Sequence, residues 1–163
     1  MPDARCLHDL RTSATGVDVA VVLADGLSAT ALNRHGVPLV SALVAALDPA
    51  LTVAPVLATQ ARVALGDHIA AALGATTVIV LIGERPGLSS VDSVGLYLTH
   101  LPAPGVTTDA QRNCISNIRP PDGLGYAEAA SACADLVARV RELGRSGVAV
   151  KGEYGAGSLP RRR

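Results

Sequence analysis

The sequence predicts an α/β fold: a Rossmann-like, doubly wound and mostly parallel sheet with helices on both faces. Short β-branched runs alternate with longer Ala- and Leu-rich segments, which is the pattern of successive strand–helix units. Only 2% of the residues are aromatic, and Trp and Phe are absent, so Val, Leu, Ile and Ala must form the core. These aliphatic side chains suit buried parallel strands under Ala-rich helices.

The first predicted unit is a strand, a tight loop and a helix. Residues 17–24 form a continuous apolar run that predicts a strand, and Ser28 after it is a good helix N-cap. We expect the helix to break near Gly36, because Pro38 cannot continue it. Since proline is favoured at the first position of a helix, a second helix is expected over residues 39–47.

The next unit continues the alternation of strand and helix. Residues 51–57 predict a second strand, and residues 67–73 predict a helix. Gly74 is expected to end that helix, since it can adopt a left-handed conformation without strain. Residues 76–82 are strongly β-branched and predict a third strand.

The second half of the chain alternates less regularly. Gly and Pro force residues 83–87 into a loop, after which Ser89 or Ser90 could cap a short helix. The remaining segments predict a strand at 94–98, a polar loop at 112–121, an amphipathic helix at 126–143 and an edge strand at 148–150.

The length of 163 residues predicts one domain with a single substantial core. Within it we expect an irregular polar leader at residues 1–16 and an α/β domain at residues 17–151. Residues 152–163 are Gly-rich, end in three arginines and predict a disordered tail.

Composition excludes several function classes. The 14 basic and 14 acidic side chains cancel, so no broad positive field exists for nucleic acid. No apolar run is long enough to span a membrane and no signal pattern begins the chain, which predicts a cytoplasmic protein.

The mean hydropathy of +0.36 suggests that a partner covers some apolar surface. Three scattered cysteines and four scattered histidines predict neither a disulfide framework nor a protein metal site.

Polar loops after apolar strands predict a ligand site at the carboxyl ends of the strands. The loops at Asp25, residues 60–63, Glu84 and Cys114 are expected to converge there if their strands are parallel. An Asp before a Gly at the end of a strand is also typical of a tight turn, and for Asp25 we favour this role over ligand binding. Nucleotide-phosphate, zinc-protease and serine-hydrolase motifs are missing from the sequence.

Four of these segments carry a resemblance to a known family. The strings ADGLSATAL, RVALGD, LIGERPGLSS and RNCISNIRP, in that order, resemble the small (light) subunit of ethanolamine ammonia-lyase over residues 17–151. The family's small subunit is normally longer, with an additional N-terminal region, so the resemblance implies an N-terminally shortened member.

The resemblance implies a lyase that works only as a hetero-oligomer. A large TIM-barrel subunit would bind ethanolamine, while the small subunit helps hold adenosylcobalamin at the interface, and the complex releases acetaldehyde and ammonia. Some members of this family, which serves ethanolamine degradation, are housed in a bacterial microcompartment. No DxHxxG string is present, which fits a family whose cofactor keeps its own base as lower ligand of cobalt.

The resemblance also implies three cofactor-binding residues, Val63, Glu84 and Cys114. Val63 offers an apolar surface, although a buried loop valine is the ordinary interpretation. Glu84 could accept hydrogen bonds from the cofactor, and pairing with Arg85 or Arg62 is an equally good interpretation. Cys114 can pack as a small polarizable group, whereas a nucleophile would need a histidine partner that the sequence does not identify. No catalytic residue is predicted in this chain.

Two alternatives stay open from the residues alone. One is an unrelated nucleotide-binding α/β enzyme, because a fold does not fix a function. The other is a noncatalytic interaction protein that keeps the core of the family without assembling a working enzyme. The first would bind nucleotide without a partner, and the second would associate without corrinoid-dependent activity.

Overall fold

The protein is described here by a computed structural model, which covers residues 3–13, 16–84 and 92–150. These residues form a five-stranded sheet and four α-helices. In chain order the elements are α1 (Ala4–Ser13), β1 (Val19–Ala24), α2 (Ala29–Ala46), β2 (Val53–Ala58), α3 (Leu65–Leu73), β3 (Thr77–Gly83), β4 (Val94–His100), a 3-10 turn (Asp109–Gln111), β5 (Asn113–Ile118) and α4 (Tyr126–Leu143).

The sheet is mixed, with the strand order β2-β1-β3-β4-β5. Strand β1 pairs in parallel with β2 and β3, whereas β4 runs antiparallel to both β3 and β5. The prediction of a Rossmann-like, doubly wound and mostly parallel sheet was therefore wrong. The physical reason is chain length: ten residues separate Gly83 from Val94, and a parallel connection needs a crossover of about a dozen or more.

Helices cover both faces of this sheet and bury two separate aliphatic clusters. On one face, which we call the closed face, α2 and α4 pack over the strands and against each other. On the opposite face, α3 packs on β1 and β3, and α1 packs on α3. Alternate strand residues feed the two clusters, as Val19 and Val21 do on the closed face and Ala20 and Val22 do on the other.

Helix α2 confirms the predicted cap but not the predicted break. The Ser28 side chain accepts a hydrogen bond from the Ala31 amide, and the helix then continues through Pro38. Proline inside a helix costs about 3 kcal/mol. Complete burial of Leu39 and Leu43 contributes about 1.5–3 kcal/mol each, so tertiary packing outweighs the lost hydrogen bond.

Six predicted elements are confirmed within a few residues: the strands at 17–24, 51–57, 76–82 and 94–98 and the helices at 67–73 and 126–143. Two segments near the end of the domain differ from the prediction. The polar loop predicted at 112–121 contains β5, which resembles a loop in sequence because half of its side chains are exposed at the sheet edge. Residues 148–150 form a turn rather than an edge strand. Val150 in that turn is buried in the closed-face cluster.

Residues 4–13, which we expected to be irregular, form α1. Asp3 caps this helix, since its carboxylate accepts hydrogen bonds from the Arg5 and Cys6 amides, and Leu10 packs against the cluster under α3. The predicted short helix at Ser89 or Ser90 and the predicted tail at 152–163 lie outside the described residues. Among the described helices, none has the length and apolar character needed to cross a membrane.

A candidate ligand surface on the open side of the sheet

The face that carries α1 and α3 is covered unevenly. Its helices pack on β1, β3 and each other, while β4 and β5 present exposed or half-buried side chains on the same face. We call this surface the open strip, and it consists of Glu84, Gly95, Tyr97, Cys114 and Ser116. Tyr97 is half-buried, whereas Cys114 and Ser116 are exposed.

Glu84 stands at the end of β3 and joins three strands. Its amide donates to the Ser93 carbonyl oxygen at 2.9 Å. Its carboxylate Oε2 accepts from the Ser93 hydroxyl at 2.7 Å and from the Asn117 amide at 3.2 Å. The side chain is thereby fixed between the start of β4 and the end of β5.

Of the two arginines expected as alternative partners of Glu84, the described structure includes only Arg62, which does not pair with it. The Arg62 guanidinium donates instead to the carbonyl oxygens of Ala61 and Gly26, at 2.9 and 3.5 Å. Arg85 lies outside the described residues. Among the residues that are described, the second carboxylate oxygen of Glu84, Oε1, accepts no hydrogen bond.

Gly95 makes room for this carboxylate. A Cβ atom at Gly95 would lie 2.9 Å from Glu84 Oε1 and 3.1 Å from Tyr97 Cε2, closer than ordinary van der Waals contact. Because glycine has no side chain, the carboxylate and the tyrosine ring can lie side by side above β4. Both the glycine and the tyrosine were missed by the sequence reasoning.

Tyr97 and Cys114 are cross-strand partners in the register of β4 and β5. Burial and the neighbouring Cys114, followed by the charge of Glu84, raise the pKa of Tyr97 to about 12, so its hydroxyl stays protonated near neutral pH. The Cys114 sulfur lies 3.1 Å from the Ser116 hydroxyl oxygen. Within the described chain the thiol therefore has a serine neighbour and not a histidine base.

Val63 lies in the loop between β2 and α3 and is partly buried against the cluster under α3. Asp25 holds this loop, since its carboxylate accepts hydrogen bonds from the Ala61 amide at 3.0 Å and the Gln60 amide at 2.8 Å. These two bonds hold the pKa of Asp25 below its usual value. Its carboxylate also accepts from the Gly26 amide at 2.7 Å, as the turn interpretation predicts.

A buried ion pair ties α3 to the strands of the open strip. The Arg112 guanidinium binds both carboxylate oxygens of Asp67, at 2.9 and 2.7 Å, and donates to the Thr99 hydroxyl at 3.0 Å. Both charged side chains are at most 4% exposed. The pair thus connects the helix that follows Val63 to β4 and to the start of β5.

The structure brings two of the three predicted residues together. Glu84 and Cys114 flank Tyr97 on the open strip, whereas Val63 approaches the same sheet face from the α3 side. The expected convergence at one sheet edge holds only in part. Cys114 pairs with Tyr97, which pairs with Val80 in the middle of β3, so Cys114 lies along the sheet face and away from the edge at Glu84.

A groove of about 600 Å³ lies beside the loop that carries Val63. It is formed by α1, the end of β2 and the start of α3, and its lining includes Cys6, Leu57, Arg62 and His68. Over the described residues, no three His, Cys, Asp or Glu side chains gather in a way that could hold a metal ion.

Comparisons with known proteins identify relatives over nearly the whole chain. A family model described as "Ethanolamine ammonia-lyase light chain (EutC)" matches residues 2–151. The chain is 63% identical over 135 residues to the ethanolamine ammonia-lyase small subunit of Rhodococcus erythropolis, covering 82% of this chain and 52% of the relative. It is 48% identical over 153 residues to the corresponding subunit of Ralstonia nicotianae, covering 92% and 56% of the two chains.

The chain spans about half the length of the curated relatives that it matches. Among solved structures, a PelC dodecamer from Paraburkholderia phytofirmans gives a TM-score of 0.34 at 18% identity, covering 78% of this chain and 86% of that chain. This likeness is too low to support an argument about fold or function.

Proposed function

The chain belongs to the ethanolamine ammonia-lyase light-chain family, and we propose that it forms the cobalamin-contacting core of the small subunit. In this proposal it helps hold adenosylcobalamin at the interface with the large subunit, and the complex converts ethanolamine to acetaldehyde and ammonia. The observation that carries the proposal is the family match over residues 2–151, which includes every residue that the structure describes.

The open strip has the chemistry that a corrin would need. A corrin is a flat macrocycle with apolar faces and amide groups around its rim, so a suitable surface combines apolar area with a few hydrogen-bond acceptors. Glu84 Oε1 is an available acceptor within the described structure, and Gly95 lets this oxygen and the Tyr97 ring lie side by side over β4. These features fit Glu84 and Cys114 as cofactor contacts, with Val63 supplying apolar area from the α3 side.

Glu84 would contribute most to the specificity of this surface. A carboxylate accepts stronger hydrogen bonds than a neutral group, and Ser93 and Asn117 already fix its orientation. Binding would therefore not require the side chain to lose further freedom, which favours affinity.

When bound, adenosylcobalamin supplies the homolytic chemistry, and the protein supplies position and electrostatics. The residues of the open strip suit such a holding role. Tyr97, with a pKa of about 12, keeps its proton near neutral pH and is poorly suited to act as a general base. Groups that exchange protons with ethanolamine are therefore expected on the large subunit.

The primary test is reconstitution with the large subunit from the same source. The two chains would be co-expressed, supplied with adenosylcobalamin and assayed for ethanolamine-dependent acetaldehyde, with each chain omitted in turn. Activity that requires both chains supports the proposal. A stable complex without activity would favour a noncatalytic interaction protein, and the absence of any complex would contradict the proposed role.

Two variants test the cofactor contacts within that complex. Glu84→Gln and Val63→Ala should each raise the Kd for adenosylcobalamin, measured by the change in its visible absorbance. Glu128→Gln is a matched control, because Glu128 on α4 also accepts a hydrogen bond from a backbone amide, that of the N-cap residue Gly125, away from the open strip. Equal Kd values for the wild type and both variants would remove these residues from the site.

Protection of Cys114 from alkylation tests the same site without an activity assay. Cys6 and Cys114 are exposed and Cys133 is buried, so a Cys6→Ser variant would leave Cys114 as the main target of iodoacetamide. If the open strip contacts the cofactor, adenosylcobalamin should slow labelling of Cys114 in the assembled complex. An unchanged labelling rate would place the cofactor elsewhere.

A further inference from the structure

We propose that Tyr97 is a further cofactor-contacting residue, which lays one side of its ring against the corrin between the contacts made by Glu84 and Cys114. This inference rests on the proposed function and extends it to a residue that the family strings do not include. It depends on three features of the structure: the cross-strand register, the close approach of Glu84 and Tyr97 over Gly95, and the exposure of the ring.

Register places Tyr97 between the other two side chains. Tyr97 pairs with Cys114 on β5 and with Val80 on β3, and cross-strand partners project from the same face of a sheet. On the side toward Glu84, Tyr97 Cε2 and Glu84 Oε1 both lie within 3.1 Å of the point that a Gly95 Cβ would occupy. A ligand that touches Glu84 and Cys114 together therefore crosses β4 at Gly95, where the edge of the tyrosine ring lies.

The ring is also partly accessible. It packs against the aliphatic cluster under α3 on one side, yet the residue as a whole is only half-buried. Packing of this kind fixes the ring at little entropic cost and leaves a flat apolar surface for a planar ligand. Aromatic rings gain both hydrophobic burial and stacking energy from such contacts.

Composition makes this position unusual. The sequence has three tyrosines and neither Phe nor Trp. The two clusters consist of aliphatic residues and Cys133, with Tyr97 and Tyr126 as the aromatic residues that pack against them. A flat aromatic side chain at the open strip is thus not a consequence of an aromatic core.

Tyr126 offers a matched control within the same chain. It begins α4 and packs against the closed-face cluster, where its hydroxyl lies 2.7 Å from His35 Nδ1. It is therefore a half-buried tyrosine whose ring and hydroxyl are used by internal contacts on the other side of the sheet. Modification of Tyr126 tests for general loss of structure without touching the open strip.

The first experiment measures the Kd of adenosylcobalamin by absorbance titration of the complex with the large subunit. Tyr97→Leu removes the flat ring and should raise Kd about three- to tenfold. Tyr97→Phe keeps the ring and should stay within about threefold of the wild type, as should Tyr126→Phe. Equal Kd values for Tyr97→Leu and the wild type would overturn the inference.

The second experiment needs no substitution and so does not depend on how a variant folds. Hydroxyl-radical footprinting with mass spectrometry would compare the complex with and without adenosylcobalamin. Oxidation of Tyr97 should fall severalfold when the cofactor binds, while oxidation of Tyr126 stays constant. Oxidation of Tyr97 that does not respond to a cofactor bound at saturation contradicts the inference.

The two levels of the hypothesis fail in different ways. If Glu84→Gln weakens binding and the Tyr97 measurements show no effect, the inference about Tyr97 fails while the proposed function stands. If the wild-type complex binds no adenosylcobalamin, the proposed function fails and the inference fails with it.

Discussion

The two faces of the sheet differ in how completely their side chains are used. On the closed face, Leu39, Leu43, Leu96 and Leu98 are fully buried, and the buried His35 bonds to Tyr126. On the other face, the open strip keeps an exposed thiol and a half-buried ring. Both faces bury an aliphatic cluster, but only the face opposite α2 and α4 keeps side chains of β4 and β5 available for a ligand.

The two faces are not fully separated into a stabilising face and a ligand face, because the face that carries the open strip also contains a buried ion pair. Asp67 and Arg112 are removed from water and link α3 to the strands that carry the open strip. Substitutions on the two faces should therefore separate stability from ligand contact, except at this pair.

The largest effect is expected at that pair. Arg112→Met leaves the Asp67 carboxylate buried without its cation, and breaking a buried pair in this way costs about 3–5 kcal/mol. The free energy of unfolding would be measured by urea denaturation at pH 7. The double variant Asp67→Leu with Arg112→Met is the control, because replacing both charges with apolar groups should recover most of the loss. A single variant that loses under about 1 kcal/mol would show that the pair is not buried in solution.

The closed face should respond next. Leu43→Ala removes a fully buried side chain and should lower the free energy of unfolding by about 2–5 kcal/mol. Leu57→Ala on β2 is the control, since Leu57 is 80% exposed and its loss should stay within about 0.5 kcal/mol. Neither change should alter the rate of Cys114 alkylation under native conditions. A faster rate in Leu43→Ala would mean that the two faces are more tightly coupled than the packing indicates.

Asp25 should have an intermediate and pH-dependent effect. Asp25→Asn weakens the bonds to Ala61 and Gln60, and hydrogen bonds to a charged group contribute about 1.5–3 kcal/mol. The folded-state pKa of Asp25 is lowered from 3.8, so its contribution is fully present above pH 3.8 and is lost as pH falls through the folded-state pKa.

Urea denaturation of the wild type and Asp25→Asn, at pH 7 and again at the lowest pH where both fold, would measure this dependence. The difference between the two proteins should shrink at low pH. A difference that is independent of pH would show that the carboxylate charge does not hold the loop.

The smallest effect on stability is expected at Gly95. In Gly95→Ala the new Cβ would push on the Glu84 carboxylate, which Ser93 and Asn117 hold, and would crowd the Tyr97 ring, so the free energy of unfolding should fall by about 1 kcal/mol. If the open strip binds the cofactor, the Kd for adenosylcobalamin should nevertheless rise at least about threefold. Gly36→Ala in α2 is the control on the closed face, and it should leave Kd unchanged. Equal Kd values for the two variants would argue against the open strip as the site.

Most of the elements could be predicted from the sequence, because each depends on nearby residues. The apolar run of β1, the Ser28 cap of α2, the Gly74 end of α3 and the periodicity of α4 are local signals, and all are present in the structure. The failures at Pro38 and β5 have a different cause. There, packing against distant residues overrides a local helix breaker or gives a polar segment its strand conformation.

Only part of the candidate site could be predicted from the sequence. Val63, Glu84 and Cys114 came from a family resemblance, and their roles stay predictions. Nothing local to Gly95 or Tyr97 marks them as neighbours of Glu84, because their proximity follows from the antiparallel register of β3 and β4. The one available signal was a lone aromatic residue within a strand of an otherwise aliphatic sequence.

Composition, periodicity and matching strings were enough to predict an aliphatic core under helices on both faces, most element positions and the family of the chain. The sequence predicted a single core, whereas the structure divides it into two clusters. The pairing of β3, β4 and β5 is what places Glu84, Tyr97 and Cys114 on one surface, and this pairing is seen only in the tertiary structure. The physical reason is that strand direction depends on which distant backbones pair, and a short connection permits only the antiparallel choice. Side chains far apart in the sequence are thereby placed on one surface.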